Sequence, residues 1–415
     1  MKAVVFTLGC KVNAYESYAI MGGLASLGYE TGEELGFADL YVINTCAVTA
    51  EAEKKSRQAI ARVRKFNKNA EIIVTGCASE KSAEDFLKKE GVTLVTGAQR
   101  KDKILSLIKN GTLGLNVETE NDYPVGVSAV KTDRTRAYIK VEDGCNNFCS
   151  YCIIPYLRGR VRSREIGEVR REIENLKPLE AIITGINLSA YNYDGNGLNR
   201  LIEGLFGLNC RIRLGSLEVN VIDRELLTAL KGLKDFAPHF HLSLQSGSNA
   251  VLKSMNRHYT REEFMEKCDL IREYFPLCAI TTDIIVGYST ETEKDFEDTF
   301  DLAKEVRFSD IHCFPYSKRE GTLGAKLKEL PEKVKDERMD RLLKLKNDLK
   351  TEFIEKFIGK TLEFVPEEQV GEYTVGYTEN YIRCYIKSPF ERKKFKVMIK
   401  SLYADGAEAE IISEV

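Results

Sequence analysis

The sequence predicts an α/β chain in three parts: an amino-terminal α/β parallel-sheet domain, a central partial (β/α)6 barrel and a small carboxyl-terminal all-β barrel-like module. Three observations predict it. Short apolar runs alternate with helical stretches up to about residue 112, a second and longer series of six such runs starts near residue 134, and the last segment switches to short alternating aromatic and β-branched runs. Strand-length apolar runs separated by helices mark βαβ units, whose strands lie parallel.

In the first part, AVVFTLGC (3–10), DLYVINTC (39–46), EIIVTGC (71–77) and TLVTG (93–97) read as strands, with helices near 13–27, 50–66 and 79–90. Cys10, Cys46 and Cys77 each close a strand. Their spacings of 36 and 31 residues are close to one βαβ unit of about 30. Parallel strands share a direction, so their carboxyl ends emerge on one sheet edge, where open α/β folds place ligands. Three cysteines distant in sequence are therefore expected to converge there.

Residues 113–133 carry little pattern and read as a linker between a domain at 1–112 and a second at 134–350. RAYIKVEDGC (136–145), EAIITGIN (180–187), RIRLGSLE (211–218), HFHLSLQSG (239–247), AITTDIIVG (279–287) and SDIHCFPYS (309–317) are its six candidate strands. In such barrels chemistry sits at the carboxyl ends of the strands. A charged helical pattern at 333–357 leads out of this domain, and KTLEFVPEE, YTVGYTENYIRCYI, KKFKVMIKSLYA and EAEIIS form the all-β module at 355–415.

The strongest motif is CNNFCSYC, with Cys145, Cys149 and Cys152 after the first barrel strand. A structural zinc site needs a fourth Cys or His, commonly from a second pair at short spacing. The four histidines, at 239, 241, 258 and 312, form no such pair with these cysteines. A four-iron cluster on three thiolates instead leaves one iron open to a bidentate small molecule.

The C-x3-C-x2-C pattern, with Tyr151 just before its last cysteine, resembles the radical S-adenosylmethionine superfamily. GCNNFCSYCIIPYLRGRVRSR (144–164) resembles the signature of its methylthiotransferases, TLGCKVNAYES with Cys10, Cys46 and Cys77 resembles their extra domain, and the last module resembles their RNA-binding TRAM domain. KVNAYES, HLSLQSGS, FPYSKREGT and VGYTENY look most like the branch that acts on threonylcarbamoyladenosine in tRNA.

The resemblance implies two 4Fe-4S clusters, one on Cys145, Cys149 and Cys152 and one on Cys10, Cys46 and Cys77, with S-adenosyl-L-methionine on the open iron of the first. It implies that one S-adenosylmethionine methylates a sulfur on the second cluster, while another yields the radical that removes hydrogen from adenine C2. An aromatic C–H is too weakly acidic for general-base removal, so a cofactor must supply the reactive species while the protein positions it.

Tyr151, Gly185, Asn187, Glu218 and Gln245, at or near strand ends, are the expected cofactor contacts. Glu218 suits ribose hydroxyls, and Gly185 permits close backbone approach. Arg158, Arg160, Arg162 and Arg164 alternate after the motif and suit phosphates or a substrate carboxylate. Arg383, Lys393 and Lys394 stand among aromatic residues of the last module, a composition suited to RNA. Thr290 stands where the family usually has glycine, and no binding role is carried onto it. His239 and His241 share a strand face and read as packed, and Cys210, Cys268, Cys278, Cys313 and Cys384 as buried or free.

The net charge of −2 gives no global attraction to RNA or to an anionic membrane. Eleven cysteines without a disulfide spacing, and the absence of a signal peptide or a transmembrane-length apolar run, predict a cytoplasmic, non-membrane protein, read as a monomer. The expected partners are tRNA bearing threonylcarbamoyladenosine at position 37, a reductant and a sulfur donor. Isopentenyladenosine-37, a ribosomal-protein aspartate, and a noncatalytic metal-containing RNA-binding role stand as alternatives.

Overall fold

The computed structural model describes residues 1–118 and 134–415, so most of the expected linker lies outside the described residues. The amino-terminal sheet has six strands in the order Glu30–Gly32, Lys2–Thr7, Leu40–Thr45, Glu71–Gly76, Val92–Thr96, Gly114–Asn116. All pair in parallel. The period-two pattern sorts the side chains: Val4, Tyr41, Ile43, Ile72 and Val74 pack on one face, and Ala3, Val5, Leu40, Val42 and Ile73 on the other. The sequence pattern misses the strands Glu30–Gly32 and Gly114–Asn116, because three-residue edge strands carry no apolar run. The second of these lies in the stretch expected as linker.

The central arc runs Arg136–Lys140, Glu180–Thr184, Arg211–Leu214 with Ser216–Leu217, His239–Gln245, Ala279–Val286 and Asp310–Pro315. Gly215 divides the third strand, whose first half pairs with Glu180–Thr184 and whose second half pairs with His239–Gln245. Among the described residues the first and last strands do not pair with each other, so the expected six-stranded barrel is open on one side. Ile139, Ile183, Leu214, Phe240, Leu242, Leu244 and Ile284 face the surrounding helices in the largest core. Alternation then turns Lys140, Glu180, Arg213, His239, His241 and Asp283 inward.

The carboxyl-terminal module is a closed five-stranded barrel of Thr361–Val370, Tyr373–Thr378, Arg383–Lys387, Gly406–Glu414 and Phe395–Tyr403. The helix Glu332–Glu355 ties it on: Leu342, Leu345 and Leu349 belong to the central core, whereas Ile354 and the following Phe357 belong to the core of the closed barrel. The closed barrel meets the amino ends of the central strands, where Arg213 donates to Thr378 O at 3.0 Å and Tyr381 stacks on His239 with ring centroids 4.1 Å apart. Glu180 sits there fully buried, 3.0 Å from Arg211 and 2.8 Å from Arg213. Burial opposes its charge, but these guanidinium groups outweigh it and bring the carboxyl down to about 2. Among the described residues no helix is long and apolar enough to cross a membrane.

Candidate metal and cofactor centres

Cys145 follows Gly144, which has φ +89° and where a Cβ would stand 2.0 Å from Arg160 O, so there is no room for a side chain. The loop is pinned at several points. Cys145 N donates to Gly159 O at 3.1 Å, Ser150 N to Met255 O at 3.0 Å, and Gly324 N to Ser150 O at 2.6 Å. Its three sulfurs bear electrostatically on one another, and burial pushes the Cys152 thiol up to about 12. Such thiols stay protonated until a metal displaces the proton. Asn187 Nδ2 reaches Cys145 Sγ at 3.7 Å, and Arg257 Nη1 reaches Cys149 Sγ at 3.3 Å.

Four of the five expected cofactor contacts have described polar or packing neighbours around this loop. Glu218 accepts from Asn147 Nδ2 at 2.6 Å and pairs with Arg257 at 2.8 Å. The Asn187 backbone donates to Glu142 Oε2 at 2.7 Å, and a Cβ on Gly185 would stand 2.6 Å from that same oxygen. Glycine at 185 therefore admits Glu142. Tyr151 packs with the cluster of Val251, Met255, Tyr288 and Tyr316. Gln245 ends its strand in the left-handed region, with φ +70°, opposite Ile284.

Arg257 was missed by the sequence reading. It lies outside any motif, just past Asn256 in a left-handed turn, and only the fold carries it to Cys149, Glu218 and Ser243. Glu142 was missed as well. It is fully buried, its Oε1 has no hydrogen-bond partner, and burial pushes its carboxyl up to about 8.

Cys10, Cys46 and Cys77 converge at the carboxyl edge of the amino-terminal sheet. Each stands just beyond its strand, which ends at Thr7, Thr45 and Gly76 respectively. Gly9, at φ +98°, brings the first loop so close that a Cβ would meet Cys46 Sγ at 2.7 Å. The three sulfurs bear on one another electrostatically, and burial pushes Cys46 up to about 11. Arg158 Nε donates to Cys77 Sγ at 3.4 Å.

That contact overturns one expectation. Arg158 is fully buried, 2.8 Å from Glu16 and 3.1 Å from Asp143, rather than presented to RNA. Arg162, 3.4 Å from Asp143, and Arg164, 3.1 Å from Lys140 O and paired with Glu172, are buried too. Period-two alternation would have put all four guanidinium groups on one strand face, but Ile154–Arg158 is a helix that ends at Gly159, with φ +74°. Only Arg160 is exposed, lying over the Phe148 ring at 4.7 Å. In the closed barrel Lys394 pairs with Asp235 of the central domain at 2.6 Å, which removes it from the RNA-facing set. Arg383 pairs with Asp405 at 2.9 Å and Lys393 with Glu414 at 3.0 Å, both toward the surface.

Neither cysteine triple suits a single ion. Zinc bonds of about 2.3 Å set tetrahedral sulfurs about 3.8 Å apart, whereas among the described residues the only trio of ligand atoms found within 4.8 Å of one another is His241, Asp283 and His312. Thiolates that ride on different irons of a cluster stand farther apart, and N–H donors to sulfur are the contacts that tune such clusters. The donor sets fit.

Residues 2–97 match the model of the Uncharacterized protein family UPF0004, and residues 139–303 match that of the Radical SAM superfamily. Across 97% of this chain and 94% of the relative, the sequence is 39% identical to the threonylcarbamoyladenosine tRNA methylthiotransferase MtaB of Bacillus subtilis. The chain belongs to the radical SAM tRNA methylthiotransferase family. It is 38% identical to the Thermotoga maritima MtaB over 98% of this chain and 96% of that one. It is 34% identical to the tRNA-2-methylthio-N(6)-dimethylallyladenosine synthase of Thermodesulfovibrio yellowstonii over 98% of each. The fold is shared with the radical S-adenosylmethionine methyltransferase TsrM from Kitasatospora setae, at TM-score 0.55 and 14% identity over 90% of this chain and 77% of that one.

Proposed function

We propose that this radical SAM methylthiotransferase places a methylthio group on C2 of N6-threonylcarbamoyladenosine at position 37 of tRNA. One observation carries the reading: two convergent cysteine triples in different domains, coupled through Arg158, whose helix begins two residues after Cys152 and whose guanidinium reaches Cys77. A radical site alone needs only one triple. The second supports sulfur chemistry, and five of eight similar relatives carry names of threonylcarbamoyladenosine enzymes.

Cys145, Cys149 and Cys152 would hold one four-iron cluster, and Cys10, Cys46 and Cys77 the other. When bound, the clusters and S-adenosylmethionine supply a carbon radical able to take the adenine C2 hydrogen and the methylthio group that replaces it. The chain's own residues do the positioning. Arg257, beside Cys149, would offer a guanidinium to the carboxylate of S-adenosylmethionine, and Glu218, 2.8 Å from Arg257, would accept from ribose hydroxyls. Asn187 would steady the Cys145 sulfur through its side-chain amide, and Tyr151 would wall the loop against water.

RNA would be received by Arg160 near the first triple and by the closed barrel, where Tyr373, Tyr385 and Tyr403 cluster with ring centroids 5.2 to 6.1 Å apart beside Lys387 and Arg383. Stacking faces next to cations suit single-stranded bases and phosphates.

The test is mass spectrometry of nucleosides from a strain lacking the gene. The 2-methylthio form of threonylcarbamoyladenosine is expected to vanish, to return with the wild-type chain and to stay absent with Cys10→Ala. Loss of the isopentenyl analogue instead, or of mass from a ribosomal protein, would overturn the substrate; full rescue by Cys10→Ala would remove the second cluster from the chemistry.

A further inference from the structure

Three of the chain's four histidines lie together inside the open barrel, far in sequence from either cysteine motif. His241, Asp283 and His312 occupy three neighbouring strands. Asp283 is in register with His312, and His241 with Thr281, two residues before Asp283 and so on its face of the sheet. His241 Nε2 is 3.1 Å from Asp283 Oδ2, and His312 Nδ1 is 3.2 Å from Asp283 Oδ1.

We propose that His241, Asp283 and His312 form a binding site for one divalent transition-metal ion, a third metal centre separate from both cysteine triples. Their ligand atoms all lie within 4.8 Å of one another. Nitrogen and oxygen donors at bonds of about 2.1 Å stand about 3.0 to 3.4 Å apart around an ion, which the two measured separations meet.

The surroundings orient the site. Thr281 Oγ1 lies 2.9 Å from His241 Nδ1 and 2.8 Å from His239 Nε2, holding the outer nitrogen of His241 so that Nε2 faces Asp283. A second hydrogen bond on the far ring nitrogen is the usual support of a ligating histidine.

Two imidazoles and one carboxylate suit iron(II), manganese, cobalt or zinc, and leave coordination positions open. The His312 side chain is 49% exposed, so these positions face the barrel opening. The open positions would take an oxygen ligand. The threonyl carboxylate of the substrate proposed above has that chemistry, and this last assignment alone rests on that reading.

Manganese(II), which thiolates ligate poorly, is the probe, titrated into the full-length, cluster-loaded protein with its clusters oxidised and followed by paramagnetic resonance. The wild type is expected to take up about one equivalent that His312→Ala and Asp283→Asn each lose, while His239→Asn keeps it and all four proteins keep the same iron content. Equal uptake by wild type and His312→Ala overturns the site, whether or not methylthiolation continues. An anticodon stem-loop bearing threonylcarbamoyladenosine is expected to change the bound manganese signal where the same RNA with plain adenosine does not. Identical signals with the two RNAs overturn the carboxylate assignment and leave the metal uptake as the test of the site itself.

Discussion

Glu142 shows how one side chain two steps from a motif can matter as much as the motif. It is fully buried and pushed up to about 8, so at neutral pH it is a neutral acid whose Oε2 accepts from the Asn187 backbone, while the Asn187 amide reaches Cys145. In the unfolded chain an ordinary glutamate ionises above about 4.3. A raised folded value means stability that is whole below that pH and falls progressively up to about pH 8, where the folded form ionises too. Glu142→Gln, which cannot ionise, is expected to match the wild-type unfolding free energy near pH 4 and exceed it increasingly up to pH 8, by about 3 to 5 kcal/mol. A gap that does not grow with pH would contradict this. The six cysteines of the two triples were legible from spacing, because Cys10, Cys46 and Cys77 each stand just beyond a strand and Cys145, Cys149 and Cys152 share one short motif. Glu142 and Arg257 were not, because their partners come from strands and turns 45 and 108 residues away.

At the scale of elements, apolar runs located every long strand, while short edge strands and the helix Ile154–Arg158 escaped. That helix matters most, because helical spacing turns Arg158 into the interior where strand alternation would have left it beside Arg160. The closed barrel depends on a close approach that no pattern reveals. A Cβ on Gly376 would stand 2.1 Å from Val365 O and 2.7 Å from Pro366 Cα, both backbone atoms of the paired strand. Gly376→Ala is therefore expected to disrupt this barrel and lower RNA affinity at least tenfold, while S-adenosylmethionine cleavage under reduction persists. RNA affinity unchanged by a disrupted barrel would move the RNA contact elsewhere.

The three domains are joined by buried charge as well as by apolar packing. Glu16 of the first domain meets Lys140 at 2.7 Å and Arg158 at 2.8 Å, both from the second, and also pairs with its own Lys101. Burial disfavours the Glu16 anion, but Arg158, Lys101 and Lys140 outweigh it and hold the carboxyl well below the usual range. Removing one member of such a group strands the others uncompensated. Arg158→Ala is expected to cost about 3 to 5 kcal/mol and to lower the thermal midpoint, against no measurable shift for exposed Arg160→Ala. Equal midpoints would show that Arg158 does not hold the domains together. Across the other junction, Glu180 with Arg211 and Arg213 meets carbonyls of the closed barrel, so both ends of the central arc are locked by ionic contacts.

The sequence by itself determined the order of the domains, the strand ends that carry Cys10, Cys46 and Cys77, the motif that carries Cys145, Cys149 and Cys152, and the class of chemistry, because periodicity and ligand spacing are local properties written into the chain. Tertiary structure alone decided that three of the four alternating arginines are buried struts, that Lys394 belongs to a domain junction, and that His241 and His312 meet at Asp283. These outcomes depend on register between strands up to 71 residues apart and on which face of a helix meets another domain, quantities that no local pattern encodes.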